Sequence, residues 1–390
     1  MTPAVAFGMT LHNNARHLPE AIDSLLTQSD PDFGLLLLDD GSSDATPEIA
    51  RAYAARDSRI RFERHPARQG MVQSWRSAVD LALGHFAGAR YFAWASDHDR
   101  WHPDWLRLTR AELDAHSEAV LAYPRTRRID EAGKLWEKQP KTFDTVGIRA
   151  ADVRWLRFSG EAVGAGDLVY GLMRIDALRR AGVFRPVMLP DRLLMLELTL
   201  QGEFRQVQAD LWFRRQGGAS SLVRQRFSLF TPENAPAGLS WPPRFQHARV
   251  LRREYVRTVR PEIAPRVMRG LIWRYLALDV WRQYSKSTAL IHRIDNRREA
   301  IVDVGKGLRR RIWSAWYEGG VALTGWRGRM RRRGRRWSRV VPVFRRRMRA
   351  AGYEFRVATV KVLVRARRVA RRGLHNTLMF THRLGLRGRS

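Results

Sequence analysis

The sequence predicts an α/β fold, a mostly parallel sheet flanked by helices, followed by an α-helical, basic C-terminal region. Three observations predict it. Short apolar runs alternate with helical stripes over the first 125 residues. The runs are apolar at consecutive positions rather than at every second one, as in strands buried on both faces. Basic charge collects beyond residue 300, where regular alternation is lost.

The elements follow in order. AVAFGMT (4–10) reads as a first strand, and Leu18, Ile22, Leu25 and Leu26 make a helical stripe after it. FGLLLLD (33–39) is a second strand, and Thr46-Pro47 opens a helix through Ile49, Ala50 and Tyr53. RIRFER (59–64) alternates with period two. Met71, Trp75, Ala78, Val79 and Ala82 form the next stripe, with Trp75 assigned to the core. YFAWAS (91–96), the helix DWLRLTRAELDAH and AVLAYP (119–124) complete this half. Residues 126–165 are charged and read as a loop or hairpin excursion. Order returns over 166–216, prolines and aromatic-rich helical patterns occupy 227–283, and arginine dominates beyond 291. The domain reading is 1–225 for the α/β body, with halves 1–125 and 126–225, then a helical extension 226–290 and a basic tail 291–390.

The 390 residues are 44% hydrophobic, enough for one or two cores. The absence of cysteine excludes disulfides, thiolate metal sites and cysteine nucleophiles. The first residues lack the basic and long apolar regions of a signal peptide, and no uncharged apolar run approaches the roughly 20 residues that span a bilayer. The expected location is cytoplasmic, at most peripheral on the inner face of the cell membrane. The net charge is +33, and residues 301–390 supply +23 of it, from 26 Lys+Arg against 3 Asp+Glu. Such asymmetry implies an anionic partner.

Two acidic clusters follow strands: Asp39-Asp40 after the leucine run, and Asp97-His98-Asp99 after YFAWA. In a parallel sheet both reach the edge where ligands bind, beyond the carboxyl ends of the strands. Carboxylates gathered there repel unless a cation joins them. Mg²⁺ or Mn²⁺, held by one or two carboxylates plus the oxygens of a diphosphate, meets that need. The plain alternative for DDGSSD is a polar turn, and Asp44 is assigned to capping the next helix.

The ordered set VAFGMTLHNNARHLPEAIDSLLTQSDPDFGLLLLDDGSSDAT, then DHD with Trp101 and HPDWL, resembles the family 2 glycosyltransferases over about residues 4–125. A weaker likeness, through YGLMRIDALRRAGVFRPVMLPDRLLMLELTLQGEF, extends to about residue 220. The resemblance implies a GT-A fold, which is Rossmann-like, and an inverting transfer of sugar from a UDP-, GDP- or dTDP-sugar to a glycan or lipid-linked acceptor of the cell envelope. It implies that Asp40 reads the nucleotide base, with Thr10 and Asn13 in the same pocket. Asp99 is then the metal ligand, assisted by Asp97, and His98 is either a further ligand or a plain loop histidine. Asp191, at the start of an apolar helix, is the base that takes the acceptor proton. Its plain alternative is a carboxylate complementing the helix dipole, with Arg192 as ion-pair partner. Arg68 stands where a phosphate contact is expected. Gln216 replaces a histidine common in relatives, which makes Arg215 the candidate for the diphosphate clamp.

The arginine-rich tail interleaves aromatic and aliphatic residues and suits an anionic membrane surface. A solvated tail is the plain alternative. Nucleic-acid binding is the least favoured, because no recognisable nucleic-acid module accompanies it. A catalytically silent, nucleotide-binding relative is the remaining alternative to an enzyme.

Overall fold

Strands β1 (Val5–Leu11), β2 (Phe33–Asp39), β3 (Ile60–Arg64) and β4 (Tyr91–Ala95) are linked by helices α1 (Leu18–Leu26), α2 (Thr46–Arg56) and α3 (Met71–His85). In this computed structural model the described residues are 2–136, 142–161, 165–216, 222–258 and 260–278. They belong to one unit, Met1–Ile291. The basic tail assigned to 291–390 lies outside the described residues.

After β4 come the short β5 (Arg100–Trp101), α4 (Trp105–Ala115) and the long β6 (Ala119–Ile129). The second half contributes α5 (Ala151–Glu161), α6 (Ala165–Leu168), β7 (Leu172–Arg174), α7 (Ile175–Ala181), α8 (Pro190–Gln201) and β8 (Glu203–Arg215). Helices α9 (Leu222–Leu229) and α10 (Pro243–Leu251) and a helical stretch over 265–278 follow. The eight strands form one sheet in the order β3-β2-β1-β4-β7-β6-β8-β5. Strands β1 to β4 are parallel neighbours, β6 and β8 are parallel, and β7 runs antiparallel between β4 and β6. The mostly parallel α/β sheet is the fold class the sequence predicts.

Burial explains the continuous apolar runs. All seven residues of β2 and all five of β4 are buried, with helices on both faces. One core lies on the α3 face, where Trp75 stacks on Trp94 at 5.2 Å and meets Phe184 edge-on, so Trp75 is a core residue as expected. The other lies on the α1 and α4 face, around Phe7, Phe33 and Trp105.

The sequence reading is corrected over 126–165. Strand β6 continues to Ile129, and α5 occupies Ala151–Glu161. The charged stretch RTRRI stays in the sheet because its arginines find partners. Arg125 and Arg127 pair with Asp210 on β8, at 2.8 and 3.1 Å, and Arg128 pairs with Asp167 at 2.7 Å.

Candidate active site

The parallel register of β1, β2 and β4 brings their C-terminal ends to one edge, with Leu11 opposite Asp39 and Met9 opposite Ala95. Thr10 sits half-buried near the end of β1. Asn13 adopts a left-handed backbone (φ 51°), which asparagine tolerates better than bulkier residues. There its Oδ1 accepts from the Ser43 N–H at 2.8 Å, and its own N–H donates to Ser42 Oγ. Asn13 thus ties the end of β1 to the loop after β2. Asn14 extends the tie by donating to the Asp97 carbonyl at 2.9 Å.

The two aspartates after the leucine run are both committed to backbone. Asp39 is fully buried, accepts from the Ser42 N–H and pairs with Arg64 at 2.9 Å. Asp40 accepts from the N–H groups of Gln69 and Gly70, at 2.7 and 2.9 Å, and contacts His65 Nδ1 at 3.1 Å. Burial pushes the Asp40 carboxyl up, but these donors outweigh it and hold it below its ordinary value. Gly41 makes this approach possible: its φ is +74°, and a Cβ there would lie 2.9 Å from the Arg68 nitrogen. The Arg68 side chain is exposed and donates to the Phe227 carbonyl at 3.2 Å, so it braces α9. Asp44 accepts from the N–H groups of Thr46 and Ala15 from just outside α2, whose capping residue is Ala45 rather than Asp44.

Beyond β4, Asp97 Oδ1 lies 2.7 Å from His98 Nδ1. Burial pushes the imidazole pKa down, but the bond to Asp97 and the charge of Asp99 raise it overall. Asp99 is 1% exposed and accepts from the Arg215 backbone N–H at 2.7 Å. Burial raises its carboxyl above the ordinary range, against the charges of His98 and Arg214.

Arg214 and Arg215 occupy adjacent positions on β8 and so face opposite ways. Arg215 is 5% exposed; it bonds the carbonyls of His98, Asp130 and Glu131 and pairs with Glu20. It is a strut under the acidic loop. Arg214 is the half-buried member of the pair. It pairs with Asp167 at 2.6 Å, lies over the Tyr170 and Trp212 rings, and acts electrostatically on Asp99, His98 and Asp191.

Asp191 opens α8, half-buried. Burial raises its carboxyl above the ordinary range, opposed by the Arg192 N–H and the charges of Arg214 and Arg192. The Arg192 side chain lies toward Ser159 and Phe158 rather than pairing with Asp191. A Cβ on Gly166 would lie 3.4 Å from Arg214 Nη1 and 3.5 Å from Asp191 Oδ2, so the glycine separates these two groups. Burial, with Asp99, Asp97 and Asp191 adding, holds the Tyr170 hydroxyl well above its ordinary range, with Arg214 opposing. Asp99 and Asp191, from the two halves of the chain, therefore both feel the charge of Arg214, and with Asp97 both act on Tyr170. Gly166 and Tyr170 had no signal in the sequence, and Arg214 had only its place beside Arg215.

Asp97 and Asp99 are hard oxygen donors, and Asp99 is desolvated, with the Arg215 N–H and the Ser96 side chain bonding it. That donor set fits a Mg²⁺ or Mn²⁺ ion completed by ligand oxygens. Among the described residues, no group of three or more His, Asp or Glu side chains is arranged to hold an ion alone.

Carboxylates beyond the carboxyl ends of the strands of a mostly parallel sheet stand where α/β proteins bind their ligands. Residues 7–162 match the profile described as Glycosyl transferase family 2, and over that segment the chain is similar to a family 2 glycosyltransferase domain. Among curated relatives, the uncharacterised glycosyltransferase EpsJ of Bacillus subtilis is 36% identical over 88 residues, covering 23% of this chain and 25% of the relative. EpsE of the same organism, a putative glycosyltransferase, is 31% identical over 152 residues, covering 39% and 48%. Chondroitin synthase of Escherichia coli is 26% identical over 133 residues, covering 34% and 18%. The chain thus spans less than half the length of each. Among solved structures, S. aureus TarS residues 1–349 in complex with UDP-GlcNAc aligns with a TM-score of 0.49 at 12% identity, covering 70% of this chain and 71% of that one.

Proposed function

We propose that the protein transfers a sugar, with inversion, from a UDP-, GDP- or dTDP-sugar to an acceptor hydroxyl. The observation that carries this reading is Arg214, which lies with Asp191 against Gly166 and acts on Asp99 and Asp191 alike. The nucleotide lies at the ends of β1 and β2, lined by Thr10, Asn13 and the loop that Asp40 closes. Its diphosphate lies against the Asp97–Asp99 loop and Arg214. A divalent cation held there by Asp99 and Asp97 would offset negative charge on the departing diphosphate.

Asp191 accepts the proton of the acceptor hydroxyl. The hydroxyl oxygen attacks the anomeric carbon from the face opposite the diphosphate. The new carbon–oxygen bond forms as the bond to the phosphate oxygen breaks, and the electron pair leaves with the nucleoside diphosphate. A carboxyl raised above its ordinary range is, once ionised, a better base than a free one, and the charge of Arg214 favours the ionised form.

The acceptor in this reading is a glycan or lipid-linked sugar of the cell envelope, met at an anionic inner membrane surface. Two features support a peripheral placement. The helical stretch 265–278 exposes Trp273, at 72%, on the side that carries Arg266 and Arg269, while Met268, Leu271 and Tyr275 are buried. Residues 301–390 add a net +23. Among the described residues no helix is long and apolar enough to cross a membrane.

The test is calorimetry of UDP, GDP and dTDP, with and without Mn²⁺, on the wild type and Asp99→Ala. Metal-dependent binding of one nucleotide, lost in the variant, is expected. No binding of any nucleotide in the presence of metal overturns the reading. Binding without turnover of any matching nucleotide sugar points to a silent relative.

A further inference from the structure

We infer that Gln246 and His247, side by side on α10, form a two-sided backbone clamp that positions Asp191. The inference rests on the reading of Asp191 as the base. Helix α8 starts awkwardly. Its capping residue, Leu189, is left-handed (φ 53°, ψ 55°) and makes no side-chain cap bond. A branched residue pays steric strain there, and such strain persists only where the surroundings impose it. Pro190 follows, which adds its own restriction on Leu189. The chain just before Asp191 is therefore not self-supporting.

The support comes from α10. The Met188 N–H donates to Gln246 Oε1 at 2.9 Å, and the Met188 carbonyl lies 2.8 Å from His247 Nε2. Both polar groups of the residue before Leu189 are thus taken by adjacent side chains of one helix. Chemistry fixes both orientations. The Gln246 amide nitrogen donates to the carbonyls of Leu239 and Trp241, at 3.1 and 2.7 Å, so its oxygen must face Met188. A carbonyl can only accept, so His247 carries its proton on Nε2. Its Nδ1 then accepts from the Tyr275 hydroxyl at 2.8 Å. His247 is fully buried, and burial pushes its pKa down to about 4, so the imidazole stays neutral and keeps this tautomer at ordinary pH. The Tyr275 ring stacks on His247 at 5.9 Å, and Arg244 bonds the Tyr275 carbonyl at 2.8 Å. A relay of hydrogen bonds therefore runs from the stretch 265–278 through α10 to the start of α8. The helices after the sheet are part of the catalytic device.

The test uses the full chain and two readouts: amide exchange, and ¹³C titration of the aspartate carboxyls, with Asp191 assigned by its loss in Asp191→Asn. His247→Leu removes the donor to Met188. It should speed exchange over residues 188–193 by about tenfold or more and displace the Asp191 titration, with Asp40 and the donor-side strands unmoved. His247→Gln keeps an N–H for the Met188 carbonyl and should restore both. If His247→Leu does not fold, Tyr275→Phe, which withdraws only the hydroxyl, should give a smaller change at the same place. Unchanged exchange and titration at 188–193, or a change spread evenly along the chain, overturns the clamp. Should the local changes appear while Asp191→Asn retains full release of nucleoside diphosphate, the clamp stands and the base reading falls.

Discussion

The backbone N–H of Arg215 donates to Asp99 at 2.7 Å, and its side chain bonds the carbonyls of His98, Asp130 and Glu131. One residue at the end of β8 therefore holds the acidic loop from below, through both backbone and side chain. Arg215→Met removes a buried cation that satisfies three carbonyls and Glu20, so stability should fall by about 3 kcal/mol. Arg215→Lys should rescue little of this, because a single ammonium cannot reproduce the guanidinium fork. Denaturant titration of the two variants checks it. A loss below about 0.5 kcal/mol for Arg215→Met would show that Arg215 is no strut.

Asp40 makes a pH-dependent contribution to stability whose sign is fixed. Its folded pKa lies below the ordinary value, so the unfolded chain binds its proton more readily. Its contribution is full above the ordinary carboxylate pKa and is lost as pH falls through the folded pKa. Asp40→Asn keeps one acceptor oxygen but turns an NH₂ donor toward the other N–H group and should cost about 2 kcal/mol at pH 7. The gap between wild type and variant should close as the pH is lowered below about 4. A gap independent of pH between 3 and 7 would contradict the account. Nucleotide affinity should fall in the same variant, because the loop 65–70 loses its anchor.

Much of the first half was legible because its strands carry two signals at once, continuous apolarity and a terminal carboxylate. FGLLLLD could be placed as a buried strand ending at the crevice without any partner in view. The second half was less legible because its determinants are non-local. RTRRI reads as a loop until Asp210 and Asp167 supply its partners. Arg215 was the candidate for the diphosphate clamp, but it is buried against the carbonyls of the acidic loop, and Arg214 is the half-buried neighbour. That choice depends on the pairing of β6 with β8, which shifts register three times between Ala119 and Thr126 before placing Arg128 opposite Arg214. One residue more or less of shift would exchange the two arginines. Nothing local in the sequence marks the shifts. Likewise, His247 looks like any helical histidine until Met188 and Tyr275 close around it.

Asp191 and Arg214 together predict a rate profile. The Asp191 carboxyl is raised mainly by burial and held back by Arg214. A base must be ionised, so turnover should fall as pH drops through a pKa above that of a free carboxylate. Arg214→Gln removes the opposing charge, so this acid limb should move to higher pH. At a pH above both limbs turnover should still drop, because the diphosphate loses its cationic partner. Asp191→Asn should lower turnover by about 10²–10⁴ and abolish the limb. An acid limb that stays in place in Arg214→Gln would show that the two groups do not share the site.

Gly166 separates those same two groups, and its size sets the space left between them. A Cβ there would sit in ordinary contact, 3.4 Å from Arg214 Nη1 and 3.5 Å from Asp191 Oδ2. Gly166→Ala should therefore fold normally and keep most of its turnover. Gly166→Val places two further methyl groups where the acceptor hydroxyl must meet the anomeric carbon and Asp191. It should lose turnover by at least about 10² while binding nucleotide as the wild type does, because Thr10, Asn13 and Asp40 lie on the other half of the sheet. Calorimetry and nucleoside diphosphate release on the same preparation separate the two effects. If Gly166→Val turns over normally, the acceptor does not reach its base past Gly166, and the attack geometry proposed for this crevice is wrong.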